Sequence, residues 1–160
     1  MKAIIQRVRE ASVTVEGNVT GSIEMGLLVY LGVAADDSEK DAEWMAYKVA
    51  NLRIFKDAGG RMNLSLKDIA ADADANADAG EGLVGVLTIS QFTLLADARK
   101  GHRPYYGDAG DPEKAKTLYE FFKVKITEQG LKSEAGVFQA HMDVRYINDG
   151  PVTIILDSKS

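Results

Sequence analysis

Apolar residues change their period along this chain, and each change marks a boundary between elements. Ala11-Ser12-Val13-Thr14-Val15-Glu16 is rich in β-branched residues, reaches Gly17-Asn18 and resumes as Val19-Thr20-Gly21-Ser22-Ile23, which predicts a β-hairpin. Leu27-Leu28-Val29-Tyr30-Leu31-Gly32-Val33 is apolar without a break, as a strand covered on both faces would be. From Ser38 to about Ile54 the spacing switches. Ala42, Met45, Val49 and Leu52 fall at helical intervals, and Ser38 with Asp41 has the form of a capping pair. Leu83-Val84-Gly85-Val86-Leu87-Thr88-Ile89 returns to buried-strand character and ends at Ser90-Gln91-Phe92-Thr93-Leu94. A second helix opens with Asp111 as N-cap and Pro112 at its first position, carries Ala115, Leu118, Phe122 and Ile126 on one face, and stops near Gly130. Last come Met142, Val144 and Tyr146 in period-two alternation, the turn Asn148-Asp149-Gly150-Pro151, and the strand Val152-Thr153-Ile154-Ile155-Leu156.

Strands that mostly follow one another through hairpins, with two helices between them, predict an α+β fold. The expected architecture is a largely antiparallel sheet covered by two main helices, in a single domain over residues 1–160. With 46% hydrophobic residues, 160 positions suffice for one core and are few for two. Asp57-Ala58-Gly59-Gly60 is a turn, and Ala71-Asp72-Ala73-Asp74-Ala75-Asn76-Ala77-Asp78-Ala79-Gly80 is an acidic low-complexity stretch with nothing large to bury. We expect a surface insertion at about residues 70–82. A calcium loop counted from Asp72 would need Gly and Glu where Ala77 and Leu83 stand.

The absence of cysteine excludes a disulfide framework, a thiol nucleophile and a cysteine-ligated zinc. Lys2 and Arg7 break up the first apolar stretch before it reaches signal-peptide length, and no window nears the roughly 18 apolar residues of a membrane span. A soluble, cytoplasmic protein without membrane association is expected. A net charge of −5 argues against coating long DNA or RNA through general phosphate attraction, yet leaves room for a small basic patch that grips one end of an RNA.

Familiar catalytic motifs are missing: there is no Gly-rich phosphate loop, no paired-histidine helix and no glycine-flanked serine elbow. His102 lies in a polar loop and His141 beside a strand, neither with metal-ligand spacing, so both read as surface or core-edge residues and no metal or cofactor is expected. Ser90-Gln91-Phe92-Thr93 puts hydrogen-bonding side chains at a strand end, where backbone amides leave the ladder; an ordinary strand terminus has the same look. Gly150-Pro151 can turn carbonyl groups towards a cavity or make a plain hairpin turn. Arg99-Lys100-Gly101-His102-Arg103-Pro104-Tyr105-Tyr106 gathers positive charge and aromatics, suited to phosphates and bases or to solvent.

Taken in this order, the segments resemble the D-aminoacyl-tRNA deacylase family. The similarity runs from Ile5-Gln6-Arg7-Val8 through Ala11-Ser12-Val13-Thr14-Val15, Arg53-Ile54-Phe55 and Gly60-Arg61-Met62-Asn63. It is most specific at Ser90-Gln91-Phe92-Thr93-Leu94, at Arg99-Lys100-Gly101 with Arg103-Pro104, and at Asn148-Asp149-Gly150-Pro151-Val152-Thr153. The acidic insertion is longer than the family's usual connection.

The resemblance implies a homodimer that hydrolyses the ester of D-aminoacyl-tRNA, and of mischarged glycyl-tRNA, at the tRNA 3′ end. Gly150 and Pro151 of one subunit, joined by a cis bond and held by Arg7, would enter the other subunit's pocket and exclude L side chains. Phe138, Ala140 and Met142 would line that pocket. Ser90, Gln91, Phe92 and Thr93 would form the catalytic segment, with backbone amides around Gln91 and Phe92 on the oxyanion, and Arg99, Lys100 and Arg103 would contact the tRNA. Thr93 has no evident base beside it in the sequence, which favours assistance from the ribose 2′-hydroxyl over a threonine nucleophile. A tRNA-end binding module, an esterase for N-acyl or lactone substrates and a metal-dependent hydrolase are the rival readings.

Overall fold

The computed structural model describes residues 1–75 and 84–160. Strand β1 (Lys2–Val15) and strand β2 (Asn18–Ile23) form the expected hairpin, paired from Ala11↔Ile23 to Val15↔Asn18. The chain reverses through Glu16 and Gly17, whose φ angles of 50° and 81° are the positive values that a two-residue hairpin turn demands. The other half of β1 pairs antiparallel with β3 (Gly26–Gly32), from Lys2↔Gly32 to Val8↔Gly26.

Between β3 and the next sheet strand the chain makes a long crossover. It contains helix α1 (Glu39–Asn51), the small hairpin β4 (Phe55–Lys56) and β5 (Met62–Leu64), and helix α2 (Leu66–Ala75). At the start of α1 the Asp41 carboxylate accepts hydrogen bonds from the Ser38 amide (2.9 Å) and hydroxyl (2.7 Å), as the capping pair predicts. The β4–β5 turn is closed by Asp57, whose Oδ1 accepts from the amides of Gly59 (2.9 Å) and Arg61 (3.0 Å).

Helix α2 runs into the expected surface insertion at about residues 70–82 and gives residues 70–75 a helical form that the sequence pattern did not predict. Ser65 and Asp68 repeat the capping arrangement of α1, the carboxylate accepting from the Ser65 amide (2.8 Å) and hydroxyl (2.7 Å). Leu66 and Ala70 are buried one turn apart. Two small anchors and a cap suffice to extend a helix into the alanine- and aspartate-rich run. Residues 76–82 of that insertion, and Leu83 at the start of the next expected strand, lie outside the described residues.

Strand β6 (Gly85–Ser90) joins β3 in parallel, and after a short 3-10 helix (Phe92–Leu95) helix α3 (Pro112–Glu128) carries the chain to β7 (Lys132–Ala135), parallel to β6. These two parallel ladders accompany the antiparallel ones because helices make the crossovers between them. Strand β8 (Asp143–Asp157) then returns to β1 and pairs with it antiparallel from Thr14↔Asp143 to Lys2↔Asp157.

Asn148-Asp149-Gly150-Pro151 is therefore no chain reversal. Both halves of β8 run the same way along β1, but Gln6 faces Thr153 while Val8 faces Asn148, so two steps on β1 meet five on β8. The surplus is a wide bulge, and its Gly150-Pro151 bond is cis.

Helices α1 and α3 cover one face of the sheet, where Met45, Val49, Leu118, Phe122 and Ile126 pack on Ile5, Leu27, Val29 and Val86. The opposite face carries a smaller cluster, Val8, Val13, Leu28, Leu87 and Ile89, against which Tyr30, Met142 and Val144 pack. In the helix-covered core the Tyr119 hydroxyl donates to the Thr88 carbonyl (2.9 Å), while the Thr88 hydroxyl is buried without a protein partner. Thr88→Val keeps the shape and removes that desolvated hydroxyl. It is expected to add about 1 kcal/mol of stability, seen as a higher urea midpoint at unchanged slope.

Candidate functional site

Where β3 and β6 end side by side, with Leu31 paired to Ser90, a cleft of about 790 Å³ opens. Ser90, Gln91 and Phe92 form one wall, and Phe138, Ala140 and Met142 belong to another. Six of the residues singled out in the sequence, separated by some fifty positions, thus meet around one space. Thr93, Arg99, Lys100, Arg103, Gly150 and Pro151 do not line it. Its volume falls in the range of pockets that enclose a small organic ligand, roughly 300–1,000 Å³.

The local backbone explains why the 90–93 segment is exposed there. The Gln91 amide still donates to the Leu31 carbonyl (2.8 Å), the last bond that holds the segment to the sheet. That amide is committed, so it is not available to an oxyanion. The next amides, of Phe92 and Thr93, begin the 3-10 helix, whose first N–H groups have no intrahelical acceptor. Thr93 Oγ1 accepts a hydrogen bond from the Gln91 side-chain amide.

Several lining residues were not evident from the sequence. Tyr30 contributes a hydroxyl that burial, with Tyr146 beside it, pushes up to about 12, so it faces the cleft as a neutral phenol. Pro112 and Ala115 bring the start of α3 to the rim, where the Asp111 carboxylate already caps the helix by accepting from the Glu113 amide (3.0 Å). Gln139 has a φ of 64°, in the left-handed region that non-glycine residues seldom occupy, and it sits between Phe138 and Ala140 on the lining. Only the unusual density of small residues near Gly136 would have hinted at this tight turn. His141 also reaches the lining, with its side chain 94% exposed and 3.7 Å from Asp143.

The bulge of β8 is held from below by one buried cation. The Arg7 guanidinium donates from Nη1 to the Ile54 carbonyl, stacks 6.0 Å above the Phe55 ring, and makes an ion contact of 2.9 Å with Asp149 through Nε, outside hydrogen-bond alignment. A Cβ placed on Gly150, whose φ is 122°, would lie 3.0 Å from Arg7 Nη2 and 3.0 Å from a Val152 methyl. Glycine is needed at that position for space as well as for backbone angle. Asn148 closes the neck of the bulge by donating to the carbonyls of Arg7 (3.0 Å) and Val152 (3.1 Å).

The model of the family described as D-Tyr-tRNA(Tyr) deacylase matches residues 4–157 of this chain. A D-aminoacyl-tRNA deacylase of Koribacter versatilis is 52% identical over 159 residues, covering 99% of this chain and 98% of that protein. A D-aminoacyl-tRNA deacylase of Thermotoga petrophila is 51% identical, covering 99% and 97%. Among solved structures, one described as c-Myc DNA Unwinding Element Binding Protein superposes with a TM-score of 0.84 at 36% identity over 98% of both chains. A probable eukaryotic D-amino acid tRNA deacylase shares the fold, with a TM-score of 0.77 at 13% identity over 97% of both chains.

Arg7 links three segments at this point, β1, the crossover at Ile54 and the bulge of β8, and Asp149 is left partly solvated. Arg7→Ala is expected to cost about 2–4 kcal/mol, because it strands the buried Ile54 carbonyl and leaves Asp149 only the exposed Arg9, 3.5 Å away. Asp149→Asn, which keeps the shape and one acceptor, is expected to cost less than half as much. Urea unfolding of both variants measures the ordering: equal losses would mean that Arg7 acts through its ion pair with Asp149, and no loss in Asp149→Asn that it acts through packing and the Ile54 carbonyl alone.

Proposed function

The chain belongs to the D-Tyr-tRNA(Tyr) deacylase family, and on that premise we propose how its cleft works. It is an enzyme, a D-aminoacyl-tRNA deacylase, that hydrolyses the ester between a D-amino acid and the terminal ribose of tRNA. The observation that carries the mechanism is the convergence of Ser90, Gln91 and Phe92 with Phe138, Ala140 and Met142 on one cleft large enough for a nucleoside and an amino acid.

An aminoacyl ester is already activated, so catalysis needs a positioned nucleophile and a site for the oxygen that becomes negative. The free amides at Phe92 and Thr93 serve that oxygen, and Ser90 and Gln91 orient the ester. A hydroxyl that attacks must surrender its proton to a base. The group bonded to the Thr93 oxygen is an amide that donates, which supports a positioning role for Thr93 and leaves activation of water to the ribose 2′-hydroxyl. His141, fully solvated at the rim, is not required.

Chiral choice comes from a second copy of the chain. The Gly150-Pro151 bulge does not line its own cleft, and β8 is an outer strand that exposes Tyr146, Ile147 and Ile155. A bare apolar edge of this kind calls for cover. In a homodimer the bulge of one subunit enters the other's cleft, its carbonyl oxygens beside the substrate's α-carbon. An L side chain collides there, whereas a D side chain or the hydrogen of glycine does not. Mischarged glycyl-tRNA is accordingly a second substrate. Arg99, Lys100 and Arg103 contact the tRNA, which for a protein of net charge −5 favours a grip on its tip over binding along DNA. No described helix is long and apolar enough to cross a membrane, and the substrate belongs to the cytoplasm.

A deacylation time course on D- and L-tyrosyl-tRNA, with chelator present, tests this reading. Release from the D-ester alone is expected, and Thr93→Ala should retain turnover within about threefold, a barrier change under 1 kcal/mol. A folded Thr93→Ala enzyme that binds substrate but is inactive would return the threonine to the role of nucleophile.

A further inference from the structure

Beside the cleft, three large aromatic rings stand in solvent. Phe92 is 57% exposed, Tyr105 66% and Tyr106 39%. Phe92 both lines the cleft and packs edge-on against Tyr106, with ring centroids 5.3 Å apart and planes at 62°. The two tyrosines are on firmly held backbone. Tyr105 exchanges two 2.8 Å backbone hydrogen bonds with Asp97, and three residues on, the Asp108 carbonyl accepts from the Ala35 amide (3.0 Å). The Tyr105 phenol folds over Gly107, where a Cβ would come 1.9 Å from its hydroxyl.

Exposed rings on a rigid support, Phe92 against Tyr106 and Tyr105 next to it in the chain, give an apolar surface that water solvates poorly and that a flat partner would cover. The excursion between Asp97 and Tyr105 holds the exposed side chains of Lys100, His102 and Arg103. Arg99 is exposed too, but its guanidinium is held by Asp97 at 2.6 Å. Lys100 and Arg103 thus supply positive charge next to the rings, while Asp97 and Arg99 neutralise each other. Flat rings beside cations are the chemistry of single-stranded nucleic acid, in which bases stack and phosphates pair.

We propose that Phe92, Tyr106 and Tyr105 form a stacking shelf for the unpaired nucleobases just before the terminal adenosine of the substrate, with Lys100 and Arg103 on their phosphates. The proposal rests on the tRNA deacylase reading and extends it from the terminal nucleoside to the strand that leads there. The shelf is continuous with the cleft through Phe92, so a strand leaving the cleft at that wall crosses the rings next. Stacking tolerates any base, and the shelf therefore adds affinity without reading sequence.

Three D-tyrosyl esters of increasing length test it: the ester of adenosine alone, that of the trinucleotide CCA, and D-tyrosyl-tRNA. The wild-type chain should favour the trinucleotide over the nucleoside in kcat/KM. Tyr105→Ala is expected to lower kcat/KM on the trinucleotide and the tRNA about tenfold, mostly through KM, with the nucleoside ester unchanged. Gly107→Ala, which removes no aromatic group but displaces the Tyr105 ring, should do the same, and Tyr105→Phe should restore wild-type rates. Parallel losses on all three esters, or no loss on any, would overturn the shelf, as would equal wild-type rates on nucleoside and trinucleotide. A wild-type chain that cleaves none of them would overturn the deacylase reading itself, a result distinguishable from failure of the shelf alone.

Discussion

The pairing of β1 with β8 is the interaction on which the rest of the molecule depends. One edge of β1 is divided between β2 and β3, and β8 occupies the other for almost its whole length. Because β3 leads in parallel to β6, and β6 to β7, the register of β1 is passed across the sheet to the place where Leu31 meets Ser90. The cleft wall therefore takes its position from the same strand that carries the bulge. Arg7 sits on that strand at the point where the register slips, and it ties the bulge to Ile54 in the crossover segment.

Much of this was legible in the chain. Period and caps identified α1 and α3 within a few residues, and β-branched runs located the hairpin. The failures have separate physical causes. Helix α2 lacks a wide apolar stripe and is specified by a cap at Ser65 and two buried contacts, a signal too small to outweigh the disorder-like composition that follows. Asn148 to Pro151 has the composition of a turn, and a turn and a bulge use the same residues; only the partner strand decides whether the chain reverses. Nothing local in residues 143–157 states that both halves will lie on β1.

The site was legible in a different manner. Ser90, Gln91, Phe92, Phe138, Ala140 and Met142 were named from motif and resemblance, and the fold brings all six to one cleft. Tyr30, Gln139 and the start of α3 were missed because their places there follow from tertiary packing: parallel pairing beside Ile89, a left-handed turn, and the docking of a capped helix end. The commitment of the Gln91 amide to Leu31 was equally invisible, since a ladder bond to a distant strand leaves no mark in sequence.

The antiparallel ladder from Lys2↔Asp157 to Thr14↔Asp143 joins the sheet's earliest strand to its latest. During synthesis on the ribosome, β1 must then wait with one edge bare until β8 has emerged, and neither the bulge nor its buried arginine can be set before that. Contacts so far apart in sequence make closure of the sheet a late, slow event. A nascent or truncated chain would thus hold an open, aggregation-prone strand, and cellular quality control should recognise it as unfinished until its final stretch has docked.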